Sequence, residues 1–140
     1  MRTAKILVCV SLLLAMSVLS SSCASEVPAT ITRHSSIPLS ANAKIFLMAN
    51  RQHERIAQSL KTAGLPVSNE WDGGGYTLTV KLGSRRSSKD CGSVQNVSYS
   101  LGGMGQRRLL AIKGRGATGE CEPNIFDDMS RTLASQFTAK

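Results

Sequence analysis

The sequence predicts an α+β fold, with two helices packed on one face of a largely antiparallel sheet of four to five strands, in the order β-α-β-β-β-β-α. Several segments alternate apolar and polar residues with the period of a half-buried strand, and two others repeat apolar residues with the period of a helix. Gly-rich turns separate the strands. Helices on one face are expected because each alternating strand buries only one of its sides.

The first strand leads directly into the first helix. Lys44 to Ala49 is an apolar run of strand length, and Asn50 behind it is a good helix N-cap. From Arg51 to Ala63 the apolar residues share one helical face. Gly64, Leu65 and Pro66 then form a helix stop, because Gly accepts the left-handed conformation and Pro cannot continue the helix.

Four more strands are predicted between the two helices, at residues 67–71, 76–82, 96–101 and 109–113. On the second and third of them, alternation places six polar side chains together on the sheet face away from the helices. They are Thr77, Thr79, Lys81, Asn96, Ser98 and Ser100. That flat polar surface is a candidate docking site.

The last helix is predicted to begin at Asn124, a second N-cap. Asp127 and Asp128 fall in its first turn, where negative charge favours a helix N-terminus. Neighbouring positions on a helix point in different directions, so these two carboxylates do not form a facing catalytic pair. Four apolar residues recur on the inward face: Ile125, Met129, Leu133 and Phe137.

The N-terminus, residues 1–22, has the pattern of a bacterial signal peptide. Arg2 and Lys5 precede an apolar run from Ile6 to Leu19. Since that run of about 14 residues is shorter than the about 20 that span a bilayer, it indicates export rather than a transmembrane helix. The small residues before Cys23 resemble a lipobox, which predicts an acylated, palmitate-bearing Cys23 as the first mature residue. Ordinary cleavage after Ala24 is the alternative.

Residues 23–43 are rich in Ser, Ala, Pro and Thr and are predicted to be the lipidated N-terminus and a flexible tether, before a single domain at 44–140. A linker of that length spans on the order of 25 Å. Within it, Ala29 to Arg33 could instead pair along a sheet edge.

The remaining cysteines suggest a disulfide bond. Cys9 leaves with the signal peptide, so an acylated Cys23 leaves Cys91 and Cys121 as an even pair in an oxidising compartment. The predicted strand order places both at one end of the sheet, within bonding reach. Two unrelated thiols are the alternative. No Cys-x-x-Cys spacing is present, so no metal site is predicted.

The charge of the chain is basic. Of 17 basic and 9 acidic residues, the signal peptide removes Arg2 and Lys5, which leaves 15 against 9. An exported protein with few aromatic residues does not fit a nucleic-acid partner. Arg85, Arg86 and Lys89 cluster in one predicted loop, where they could contact an anionic ligand.

No enzymatic constellation is present. Gly114 to Gly119 matches the dinucleotide pattern G-x-G-x-x-G, but its strand belongs to a hairpin meander and no acidic residue lies at the ribose-binding distance. A flexible loop between strand and helix is expected there. His53 is predicted on a helix as a hydrogen-bonded structural residue. We therefore expect no enzymatic activity and no cofactor.

With these elements placed, the chain resembles the small α+β lipoproteins of Gram-negative envelopes. These include the curli-secretion lipoprotein and lipoproteins that assist outer-membrane assembly or peptidoglycan synthases. The resemblance covers residues 44–137 in element order, together with the lipobox. It implies a non-enzymatic accessory lipoprotein on the periplasmic side with an envelope protein partner, and Ala24 after the cysteine implies the outer membrane. A soluble periplasmic binder of an anionic ligand is the alternative.

Overall fold

The computed structural model describes residues 27–88, 92–103, 107–119 and 124–138. These residues form two helices, α1 (His53–Thr62) and α2 (Ile125–Thr138). They also form seven strands of one sheet: β1 (Val27–Arg33), β2 (Ile45–Leu47), β3 (Val67–Ser68), β4 (Tyr76–Leu82), β5 (Arg86–Ser88), β6 (Gly92–Gly102) and β7 (Arg108–Ala117).

The sheet is mixed. Its strands lie in the order β1-β7-β6-β4-β2-β3, and β5 pairs with β6 beside this path. The pairs among β1, β7, β6 and β4 are antiparallel, whereas β2 pairs in parallel with both β3 and β4. Two connections make these pairs parallel: α1 returns the chain to the end of the sheet where β2 began before β3 starts, and residues 69–75 return it again before β4.

The predicted α+β class and the two helices are confirmed, but the predicted sheet is too small and too uniform. Seven strands are present in the described residues instead of four to five, and the parallel pairs of β2 depart from an antiparallel meander. The additional strands, β1 and β5, come from segments with little apolar alternation. Backbone pairing to a neighbouring strand holds them, and a sequence pattern does not display that pairing.

Strand β1 corrects the predicted tether. Thr30 to Arg33 pair with Lys113 to Leu110 of β7, and the Arg33 Nε donates to Gln136 Oε1 of α2 at 3.1 Å. The tether prediction is therefore wrong over residues 27–33, and the edge-strand alternative is correct. Residues 23–26 lie outside the described residues.

Both helices cover the same face of the sheet. The inward residues predicted for α2 are all buried, namely Ile125, Met129, Leu133 and Phe137. They pack with Ile56 and Leu60 of α1 and with the inward strand residues in one apolar core. Asp127 of α2 joins the helices: its carboxylate pairs with Arg55 at 3.0 Å and accepts from the Ser59 hydroxyl at 2.6 Å. Neither described helix is long and apolar enough to cross a membrane.

The G-x-G-x-x-G segment lies mostly in β7, so the flexible-loop prediction is wrong up to Ala117. Glycine is needed there because α2 packs directly on the strand. A Cβ at Gly114 would lie 3.0 Å from the Met129 sulfur, and one at Gly116 would lie 3.1 Å from the Ile125 Cβ. These glycines set how closely the helix approaches the sheet.

Asparagines start both helical segments. The Asn124 Oδ1 accepts from the Phe126 backbone N–H at 2.9 Å, as an N-cap does. The Asn50 Oδ1 accepts from the Gln52 N–H at 2.9 Å, but α1 begins only at His53. Asn50 therefore closes the turn before the helix instead of capping its first residue.

Candidate docking site on the open face of the sheet

The sheet face opposite the helices, here called the open face, has no described helix packed on it. Leu78, Val80, Val97 and Tyr99 point into the core, so the alternate residues of β4 and β6 occupy the open face. Thr79 lies opposite Ser100, and Lys81 lies opposite Ser98. The predicted polar set on these two strands is therefore confirmed as one surface. β7 and β1 extend it with Ala111, Lys113 and Arg115 and with Thr30 and Thr32.

A shallow depression of about 650 Å³ lies at one end of the open face. Paired residues form one row across β4, β6, β7 and β1, in the order Lys81, Ser98, Lys113 and Thr30. The next row toward the sheet end contains the pair Asn96 and Arg115. Adjacent strands are about 5 Å apart, so Lys81 and Lys113 flank the short Ser98 at about 10 Å. The arrangement presents three cations around hydroxyl and amide groups. We call this set, Lys81, Lys113 and Arg115, the basic end.

No acidic side chain balances the basic end within the sheet. The seven strands contain six Lys or Arg residues and no Asp or Glu. Among the described residues, none of the three basic-end side chains forms an ion pair. The described acids lie on the helices and in the 70–72 loop, and the other four, Glu26, Asp90, Glu120 and Glu122, lie outside the described residues. The open face can thus attract an anionic group.

Buried polar contacts on the helix side hold the basic end in place. The Gln95 amide donates to the Gly83 carbonyl at 2.9 Å and accepts from the Thr118 hydroxyl at 2.9 Å. Thr118 also contacts the Ser93 hydroxyl at 3.2 Å. Because Gln95 and Thr118 are buried, these bonds tie the chain after β4 to the ends of β6 and β7.

The opposite end of the sheet is aromatic. Phe46 lies on the open face between the buried Ile45 and Leu47, and its ring meets that of Trp71 edge-on at 6.0 Å. Trp71 and Met48 are large apolar residues left 48% and 43% exposed. Aromatic residues that are partly exposed in this way are typical of protein interfaces.

The predicted anion-binding loop is only partly described. Arg85 and Arg86 are exposed, Arg86 begins β5, and Lys89 lies outside the described residues. Neither arginine lines the depression. Lys113 and Arg115 line the depression but were not predicted as site residues. The sequence did contain a signal, because Lys113 and Arg115 alternate with inward-facing residues of β7 as Lys81 does with those of β4. Placing the three side chains together, however, required the pairing register of the strands from β4 to β7.

The other predicted site residues remain untested by the structure. Cys23, Cys91 and Cys121 lie outside the described residues. The neighbours of the last two do come together, since the Thr118 N–H donates to the Ser93 carbonyl at 3.2 Å. The disulfide stays a prediction.

Two titratable side chains near the core have unusual surroundings. The Nδ1 of His53 is buried without a hydrogen-bond partner among the described residues, so the prediction of a hydrogen-bonded histidine is wrong at this atom. Burial raises the pKa of Tyr99 well above its ordinary value, although its contact with Ser130 opposes the shift. Within the described ranges, no three His, Cys, Asp or Glu side chains come together as metal ligands.

Comparisons with known proteins show a likeness of fold. No protein-family model matches the chain, and no curated protein matches it in sequence. A variant of PelC from Paraburkholderia phytofirmans, solved as a dodecamer, superposes with a TM-score of 0.52 at 12% identity, over 80% of this chain and 99% of PelC. A minor lipoprotein from Acinetobacter baumannii matches at a TM-score of 0.39 and 18% identity, over 73% of this chain and 94% of its own. The PelC match indicates a shared fold.

Proposed function

We propose that the chain is a lipid-anchored, non-enzymatic accessory protein of the bacterial envelope. An acylated Cys23 holds it on the periplasmic face, with the outer membrane favoured over the inner, and it acts by docking a protein partner. The main support for docking is the open face, which is a broad surface of short polar side chains. Support for the anchor comes from the N-terminal sequence, which has the pattern of an export signal followed by a lipobox.

The chemistry of the open face suits docking. Thr77, Thr79 and Ser100 are short, so the centre of the face is flat and offers hydroxyl groups for hydrogen bonds. The exposed Trp71 beside it, braced by Phe46, supplies a large apolar anchor of the kind that dominates binding energy at interfaces. A flat polar surface with an aromatic margin matches the composition of non-obligate interfaces.

A second copy of this chain is the alternative partner. PelC, whose whole length this fold covers, assembles as a dodecamer. In the described sheet, β1 and β3 end the main strand order and β5 pairs only with β6, so each of the three has an open edge. The free backbone groups of such an edge can pair with another chain. The mass of a photo-crosslinked product therefore has to separate self-association from the binding of another protein.

Acylation is tested in cells with a labelled fatty acid. The wild-type protein should carry the label and stay with membranes through a high-salt wash, which screens electrostatic attachment. Cys23→Ser should lose the label and leave the membrane fraction in that wash. Cys9→Ser is the matched control, since that cysteine lies in the segment predicted to be removed. Label on Cys23→Ser, or membrane retention equal to wild type, contradicts the anchor.

Docking is tested by photo-crosslinking from single positions. A crosslinking residue at Thr79 or Ser100 should capture the same partner, while one at the exposed Gln58 or Arg131 on the helices should not. A product of twice the chain's mass identifies a second copy, and any other mass identifies a different protein. Capture from the helix positions alone contradicts docking on the open face.

A further inference from the structure

The start of β1 determines where a lipid at Cys23 would sit. Only residues 24–26 separate Cys23 from Val27, the first residue of β1. Four residue steps span at most about 14 Å even when fully extended. An acyl chain on Cys23 would therefore hold this end of the sheet close to the bilayer surface, in contrast to the loose suspension expected of a tether 20 residues long.

The basic end lies at that same end of the sheet. Val27 pairs with Arg115, about 5 Å away across the antiparallel ladder, and Lys113 and Lys81 follow in the next row. Electrostatic attraction to a membrane acts within a Debye length, about 8 Å at physiological salt. The short link to Cys23 lets these cations approach the surface to that distance.

We propose that the basic end docks on the anionic phospholipid headgroups of the membrane that holds Cys23. The inference rests on the proposed acylation for its orientation, because the anchor brings the bilayer to this end of the open face. Lys81, Lys113 and Arg115 contact headgroup phosphates, and the hydroxyl of Ser98 and the amide of Asn96 in the depression donate hydrogen bonds to phosphate oxygens. Arginine suits this role because its planar fork binds phosphate in a bidentate manner.

This docking also orients the rest of the open face. Thr77 lies four residues before Lys81 on β4, about 13 Å further from the bilayer along the strand. Phe46 pairs with Thr77, so the aromatic end points away from the membrane. The lipid-facing cations and the protein-docking surface are thus separated along one face, and both can be occupied together.

The test uses the non-acylated mature chain, residues 23–140 carrying Cys23→Ser, which keeps every described residue. Its partition onto sedimented vesicles of phosphatidylglycerol mixed with phosphatidylcholine is compared with its partition onto phosphatidylcholine alone. Lys113→Gln with Arg115→Gln should weaken binding to the anionic vesicles by about 30-fold, since each charge near an anionic surface contributes about five-fold. Arg107→Gln with Arg108→Gln removes the same charge at the opposite end, from two exposed positions, and should change binding by about two-fold or less.

Equal losses for the two pairs would mean that net charge, and not the basic end, attracts the vesicles, and would overturn the proposal. So would equal binding to neutral vesicles, or no binding to anionic ones. Each failure is distinct from failure of the proposed function, because fatty-acid labelling of the wild-type chain reports acylation independently. An acylated chain without vesicle binding refutes this inference alone. Vesicle binding at Lys113 and Arg115 without acylation keeps the lipid site and removes the anchor.

Discussion

Gly116→Ala directly tests the close packing of α2 on β7. The added Cβ would lie 3.1 Å from the Cβ of Ile125 and 3.3 Å from its Cδ1. Carbon atoms in good contact are about 3.5–4.0 Å apart, so the helix would have to move by several tenths of an ångström. Overpacking of this kind lowers the free energy of unfolding by about 1–3 kcal/mol. Alanine also lowers the entropy of the unfolded chain, which raises the free energy of unfolding by about 0.4–1 kcal/mol.

We therefore expect Gly116→Ala to lower the free energy of unfolding by about 1 kcal/mol. With a urea m-value of about 1.5 kcal/mol/M, the unfolding midpoint followed by circular dichroism should fall by roughly 0.7 M.

Gly74→Ala is the matched control. Its Cβ would meet only the Asp72 Oδ1, at 3.8 Å, and the midpoint should stay the same or rise slightly. An unchanged midpoint for Gly116→Ala would refute the reasoning that helix contact requires glycine in this strand.

Two further predictions concern stability. A disulfide between Cys91 and Cys121 should stabilise the fold by about 4 kcal/mol on the chain-entropy model, so reduction should lower the melting temperature by about 15 °C, with Cys91→Ser as the unresponsive control. Two free thiols in protein from the periplasm would contradict it. Burial raises the pKa of Tyr99, so its phenol stays protonated in the folded state at a pH near 10, where the phenol of the unfolded chain ionises. The contribution of Tyr99 to the free energy of unfolding is therefore complete below pH 10 and falls above it, by about 1.4 kcal/mol between pH 9 and 11. Urea unfolding at both pH values should show this loss in wild type and not in Tyr99→Phe, and an equal loss in both proteins would contradict the assignment.

Periodicity was sufficient to predict the elements that bury a regular apolar face. The helical repeat of Ile125, Met129, Leu133 and Phe137 and the alternation from Tyr76 to Leu82 both appear in the structure because burial selects apolar residues at those intervals. Strand β1 had no such pattern: Ile31 is 40% exposed, and the strand is held at the sheet edge by backbone pairing. Backbone hydrogen bonds do not depend on side-chain type, so they left little trace in the sequence.

The candidate site was predictable in part for a related reason. Alternation placed Thr79 and Lys81 on the open face from a single strand. The basic end, however, depends on which residues of β7 lie across from β6, and that register is a long-range property. Alternation within β7 was sufficient to predict which face of the sheet Lys113 occupies, but not its distance from Lys81. Similarly, Gly114 fitted a nucleotide-binding pattern by spacing, whereas its role comes from the helix that packs on it.

The most direct test of the lipid anchor is the intact mass of the mature protein purified from both the membrane and the soluble fractions of cells. We expect a membrane-bound chain that begins at Cys23, lacks residues 1–22 and carries the added mass of a diacylglyceryl group and an N-linked fatty acid. In such a protein, the anchor lies next to β1 and the basic end faces the bilayer. A soluble chain of unmodified mass that begins at Ser25, after ordinary cleavage behind Ala24, would contradict it.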